Sequence, residues 1–351
     1  MKVLLLGGTG AMGSYLGQIL SDKGIDTYIT TRRQRTNKKH ISYIVGNAHE
    51  SSFLDKILSE RWDVIVDFMV YTTIEFKERA NKLLDATEHY FYLSSSRVYA
   101  DAKGLITENS PRLLDVSDDK EYLQTDEYAL TKARQENILQ QSSSKNWTII
   151  RPYITYGTER LQLGVLEKDD WLYRALNGLT IAFSKDIAER TTTLTSGYDV
   201  ARAMVELMGK ETAKGEAFHI TTNQSIQWSR VLEIYSDILE RQLGKRPKTK
   251  LLNLERFVKV QGGKYQINYD RLYNRTFDNR KIAQYIDITT FKTPEEGLTE
   301  ALKQFLNNPI FKPASKVSMS RKNIEVEESS IADFVIIGLG FIKQIIRRII
   351  K

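Results

Sequence analysis

Cysteine is absent from all 351 residues, so the chain can form no disulfide, no thiolate metal site and no cysteine nucleophile. Histidine is scarce as well. His40, His49, His89 and His219 lack metal-ligand spacing, and no metal site is expected. No uninterrupted apolar run approaches the ~20 residues that span a bilayer. The run Val3-Leu4-Leu5-Leu6 is too short and wrongly flanked for a secretory signal, and is expected to form a first buried strand. A dominant charge is missing too. Of the formal +7, residues 331–351 hold a net +3 (Lys343, Arg347, Arg348 and Lys351 against Asp333), leaving about +4 for the rest, which argues against nucleic acid as a partner. A hydrophobic content of 41% and a charged content of 27% suit a globule with a full core. The expected location is cytoplasmic.

Short apolar runs at 2–6, 26–30, 42–45, 64–68, 90–94 and 147–151 alternate with helix-like stretches at 12–22, 75–86 and 126–141. This rhythm predicts an α/β fold, a Rossmann-type doubly wound parallel sheet covered on both faces, over residues 1–152. Ligands of such sheets bind at the carboxyl ends of the strands. After Pro152 the rhythm loosens: 153–190 reads as loop and helix, 191–195 as a strand, 199–208 as a helix, 217–221 as a strand and 228–243 as a helix. A smaller C-terminal substrate domain over 153–313 is expected, with about 191–208 rejoining the first domain. The polar stretch 314–330 reads as a linker. Residues 331–351 read as an amphipathic basic tail helix, suited equally to peripheral contact with an anionic membrane and to burial against protein.

Gly7, Gly10 and Gly13 follow the first strand and open the first helix, the context in which a glycine motif seats a dinucleotide. Gly7 permits a tight turn, Gly10 lets the backbone approach a pyrophosphate, and Gly13 lets the helix pack closely. The amides of Ala11, Met12 and Gly13 then face the negative charge. The second strand runs into Thr31-Arg32-Arg33, with no carboxylate to accept ribose hydroxyls. Arg32 can pair instead with a 2′-phosphate, which favours NADP(H) over NAD(H). Asn47 follows the third strand, where its amide can meet the adenine edge.

Two Tyr-x-x-x-Lys matches occur, Tyr99…Lys103 and Tyr128…Lys132. Tyr99 belongs to a loop-like sequence, whereas Tyr128 opens a good helical one, in which four residues bring phenol and ammonium to one face. A free phenol, with a pKa of about 10, is a poor base at neutral pH. Lys132 and an oxidised nicotinamide both supply the positive charge that corrects this, and Lys132 can also hold the nicotinamide ribose. Ser95, at the end of the fifth strand, can hydrogen-bond the substrate oxygen.

These residues resemble the extended short-chain dehydrogenase/reductase superfamily, in particular the NAD-dependent epimerase/dehydratase family acting on nucleotide sugars. The resemblance spans about residues 1–305. It rests on Gly7-Gly8-Thr9-Gly10-Ala11-Met12-Gly13, Leu93-Ser94-Ser95-Ser96-Arg97-Val98-Tyr99, Tyr128-Ala129-Leu130-Thr131-Lys132 and Arg151-Pro152-Tyr153-Ile154-Thr155-Tyr156-Gly157. It implies catalytic places for Ser95, Tyr128 and Lys132. It also implies cofactor contacts from Phe68, Met69 and Tyr153, and substrate contacts from Ser95, Ser96, Thr155 and Arg190. A homodimer built on the Tyr128 helix is implied as well. Sugar-nucleotide 4,6-dehydratases of this family place Asp-Glu after the catalytic hydroxyl residue. Ser96-Arg97 stands there, so the agents of water elimination are missing. The cysteine-dependent epimerase/reductases are excluded by composition. Thr192 replaces an arginine that often meets the diphosphate, with Arg190 nearby. An NAD(P)-dependent epimerase or reductase acting on a nucleotide-activated sugar is therefore expected. The alternative is a non-catalytic member that senses the dinucleotide or binds RNA, and the retained Ser95–Tyr128–Lys132 set speaks against it.

Overall fold

The computed structural model describes residues 1–312, so the expected linker and the tail with its membrane contact lie outside the described residues. Seven strands form the central sheet: β1 (Lys2–Leu6), β2 (Asp26–Thr31), β3 (Ile41–Val45), β4 (Trp62–Asp67), β5 (Thr87–Leu93), β6 (Trp147–Pro152) and β7 (Glu216–Ile220). They are all parallel, in the order β7-β6-β5-β4-β1-β2-β3. The apolar run of β1 explains its central place. Val3 and Leu5 enter one core with Leu16, Leu20 and Val200, while Leu4 and Leu6 enter another with Phe76, Leu83 and Tyr92. A strand buried on both faces needs side chains of this kind throughout. Because β1 lies between β2 and β4, the chain leaves it first to one side and later to the other. This topological switch opens a crevice at the carboxyl ends of β1 and β4.

Helices α1 (Ala11–Asp22), α2 (Ser51–Leu58), α3 (Thr73–Asp85) and α4 (Tyr128–Gln141) connect these strands. Thr72 and Glu75 form a capping box at the start of α3. The alternation did not announce α2, which has eight residues and buries only Leu54 and Ile57. Helix α5 (Gly197–Leu207) packs on α1 and returns the chain to the first layer. The strand expected at 217–221 runs Glu216–Ile220 and pairs with β6, at the edge of the central sheet rather than in the smaller domain. The strand expected at 191–195 is split. Thr191–Thr192 pairs antiparallel with Ile226–Gln227, and Thr195–Ser196 pairs parallel with Thr155–Tyr156.

The C-terminal part has its own core, with Phe183 from the short strand Ile181–Ser184 and Trp171, Trp228 and Leu298 from helices, including α6 (Trp228–Leu243) and α7 (Pro294–Asn307). Among the described residues, no helix is long and apolar enough to cross a membrane.

Between Ala129 and Glu136 helix α4 is covered around most of its circumference, which explains why it lacks an amphipathic pattern. Its inner side meets α3 and the sheet. Its outer side is covered by the chain's own 111–125 segment. Arg112 donates to Glu136, Asn137 and the Ala133 carbonyl, and Arg134 donates to the Leu123 and Thr125 carbonyls.

Candidate active site

The turn from β1 into α1 uses its glycines in three different ways. Gly7 has φ +70°, and its amide donates to Thr30 Oγ1 at 2.8 Å. A Cβ on Gly13 would lie 2.5 Å from the Gly8 carbonyl oxygen, so helix and loop touch backbone to backbone. A Cβ on Gly10 would meet nothing within 4 Å. Gly10 is also the N-cap of α1, with no side-chain cap and no acidic residue in the first turn. The open approach and the uncapped amides at Ala11, Met12 and Gly13 fit the pyrophosphate of a dinucleotide.

The neighbouring strand ends rim this loop. Thr31 Oγ1 donates to the Arg33 carbonyl and accepts from the Arg33 amide, a tight turn after which Arg32 and Arg33 are exposed. The Asn47 side chain is held by Glu50 and by the His49 amide. Phe68 donates its amide to Leu6, and the Met69 sulfur lies 2.8 Å from the place a Gly7 Cβ would take. A side chain at position 7 would be strained at this φ and would also have to push the Met69 sulfur aside.

Ser95, Tyr128 and Lys132 converge beside this crevice. Tyr128 is the first residue of α4 and is 37% exposed. The Ser95 hydroxyl is among the groups that act on its phenol. Lys132, one turn on, is buried, donates from Nζ to the Leu93 carbonyl at 2.7 Å, and lies 5.9 Å from the Tyr128 ring. Burial holds the phenol above its ordinary pKa, while the Arg97 and Arg160 charges and the Ser95 hydrogen bond pull it back. Burial also pushes Lys132 down to about 8, against the charges of Asp67 and Glu136.

Two of these neighbours are not among the expected site residues. Asp67 is buried, accepts from Tyr90 Oη (2.8 Å) and the Met69 amide (2.9 Å), and is pushed up to about 6 by burial. Its charge and that of Lys132 act on each other, each favouring the ionised form of its partner. Arg97 pairs with Glu127 and lies over the Tyr128 ring. Its position two residues after Ser95 was the available signal.

Other expected residues stand apart from the phenol. Ser96 is fully buried and donates to the Arg151 carbonyl at 2.7 Å, which turns it away from the substrate side. Thr155 is buried in its two-residue strand. Tyr153 is buried with its ring against Phe277 and its phenol in reach of Arg271. Arg190 is half-buried, and its Nε has no hydrogen-bond partner. Tyr99, the other candidate phenol, is buried and accepts from Arg151 Nη1, while Lys103 is exposed in the loop beyond it.

Comparison with known proteins agrees with this architecture. The chloroplast stem-loop binding protein of 41 kDa b from Arabidopsis thaliana is 26% identical over 236 residues, which cover 63% of this chain and 58% of that protein. The chain thus spans under two thirds of that relative's length. The Bordetella bronchiseptica enzyme WbmH in complex with NAD+ shares the fold with a TM-score of 0.66, at 14% identity and over 88% of this chain and 99% of its own. The UDP-glucuronic acid 4-epimerase from Bacillus cereus, in complex with UDP-glucuronic acid and NAD, gives a TM-score of 0.63 at 17% identity, over 87% of this chain and all of its own. The family model for NAD-dependent epimerases and dehydratases matches residues 3–221, from β1 through β7, and the chain belongs to that family.

Proposed function

We propose that the protein is an NAD(P)-dependent epimerase or reductase acting on a nucleotide-activated sugar. The observation that carries this reading is the meeting of Ser95, Tyr128 and Lys132 beside the glycine crevice. When bound, the nicotinamide exchanges a hydride with the reacting carbon. Tyr128 moves the hydroxyl proton, Ser95 holds the same oxygen, and Lys132 supports the phenol and the ribose. UDP-sugar complexes among structures of the same fold support the substrate class. Dehydration is disfavoured because Arg97, which stands where that reaction needs a carboxylate, is committed to Glu127. Turnover of a nucleotide-sugar panel with NADPH or NAD tests the reading. Stoichiometric consumption of NADPH identifies a reductase, and cofactor recycled in place identifies an epimerase.

NADP(H) is the proposed cofactor. Residues 31–39 contain no carboxylate, and Arg32 and Arg33 are exposed beside the crevice with no ion pair among the described residues. Arg32→Glu is expected to weaken NADPH binding about 30-fold and NADH binding by less than about threefold, measured by fluorescence titration.

A second reading, RNA binding, is supported by the stem-loop binding relative and by a basic stretch. Residues 241–264 hold eight lysines and arginines against one glutamate, and most of them are exposed. The charge excess is therefore not confined to the tail. Filter binding of a stem-loop RNA at 50 and 200 mM salt tests it, since a genuine phosphate interface has a steep salt dependence.

A further inference from the structure

Arg97 is fixed on three sides. Its amide donates to Ser95 Oγ at 3.2 Å, its guanidinium pairs with Glu127, and its Nε lies 3.8 Å from the buried Asp270 carboxylate. So held, its Cζ stands 5.3 Å from the centroid of the Tyr128 ring, nearer than Lys132 Nζ. Glu127 immediately precedes Tyr128 and caps α4 through the Ala129 amide, so the ion pair ties the guanidinium to the backbone that carries the phenol. Lys132 is engaged elsewhere. It donates to Leu93, lies 4.7 Å from the Tyr92 ring and faces Asp67, and its charge fades near pH 8. A guanidinium keeps its charge through that range.

Building on the reading of Tyr128 as the acid–base group, we propose that Arg97 is a positioning residue that fixes the Tyr128 phenol and supplies the permanent cation stabilising its phenolate. The groups facing the phenol are Arg97 and Ser95 from the turn after β5, Tyr92 from β5, Glu127 from the N-cap of α4, Lys132 from α4, and Arg160 from the loop after β6. Arg160 is more exposed than Arg97 and lies 3.7 Å from Glu167, so solvent screens it more. Glu127 opposes Arg97. Removing the guanidinium therefore subtracts a cation and leaves a bare carboxylate beside the phenol, and the two changes act in the same direction.

The test is a pH titration of protein carrying 13Cζ-tyrosine, with saturating NADP+, in which the Tyr128 signal is assigned by its loss in Tyr128→Phe. Arg97→Met is expected to lower the ionisation constant of Tyr128 about tenfold, and Arg97→Lys to restore most of it. Glu127→Gln is expected to raise the constant, the opposite sign from Arg97→Met. A merely structural ion pair would give both variants the same sign. An unchanged Tyr128 midpoint in Arg97→Met, or a Glu127→Gln shift in the same direction, would overturn the proposal, and the Glu127→Gln arm decides it even where Arg97→Met does not fold. The readout needs no substrate. Equal turnover by Tyr128→Phe and wild type would remove the acid–base reading while leaving the titration result standing.

Discussion

Tyr128→Phe is expected to lower turnover of the nucleotide sugar about 10³-fold, with KM changed by less than about threefold. The variant keeps the ring and loses only the hydroxyl. The ring stays in place under Arg97, and the one neighbour that acts on the phenol through a hydrogen bond is Ser95. Stability and NADP(H) affinity are expected to match the wild type. The loss falls on kcat because the phenol acts on a proton in flight and contributes little to holding the substrate at rest. Steady-state kinetics with a fixed nucleotide sugar measures this directly. Wild-type turnover by the variant would remove Tyr128 from the chemistry.

Glu136→Ala is expected to cost about 3–5 kcal/mol of stability, the scale of breaking a buried ion pair by removing one partner. Glu136 is fully buried on α4. It receives two hydrogen bonds from Arg151 at 2.8 Å each, one from Arg112 at 3.1 Å and one from Ser94 at 2.6 Å. Alanine would leave the buried Arg151 guanidinium with only the Tyr99 hydroxyl and the Glu108 carbonyl. The same carboxylate ties α4 to the end of β6, so its loss should also loosen the register of Tyr128 against Ser95. Equilibrium urea unfolding checks the first effect. A change below about 1 kcal/mol would mean that solvent enters and replaces the carboxylate.

The alternation of apolar runs and helical stretches was enough to place six of the seven central strands, because a parallel sheet buried on both faces demands uninterrupted Val, Ile and Leu. The seventh was visible as a strand but not as a member of this sheet. Its partner β6 lies 60-odd residues earlier, and nothing local in Glu216–Ile220 states which edge it joins. Gly13 could be read for close packing because backbone contact leaves no alternative to glycine. Arg97 and Asp67 were harder, since their meaning comes from neighbours far along the chain: Glu127 and Asp270 for one, Tyr90 and Lys132 for the other. The outer face of α4 carries the same lesson. Arg112 and Arg134 draw the 111–125 segment over it, a long-range packing choice that periodicity does not encode.

On the proposed function, cofactor, sugar and phenol come together at the mouth of the β1–β4 crevice. A crystal structure of the protein with NADP+ and a bound nucleotide sugar tests it most directly. The pyrophosphate is expected on the Gly10–Gly13 amides, with the Tyr128 hydroxyl and Ser95 both about 3 Å from one sugar oxygen. A sugar bound away from Tyr128, or a dinucleotide seated outside the glycine turn, would contradict it.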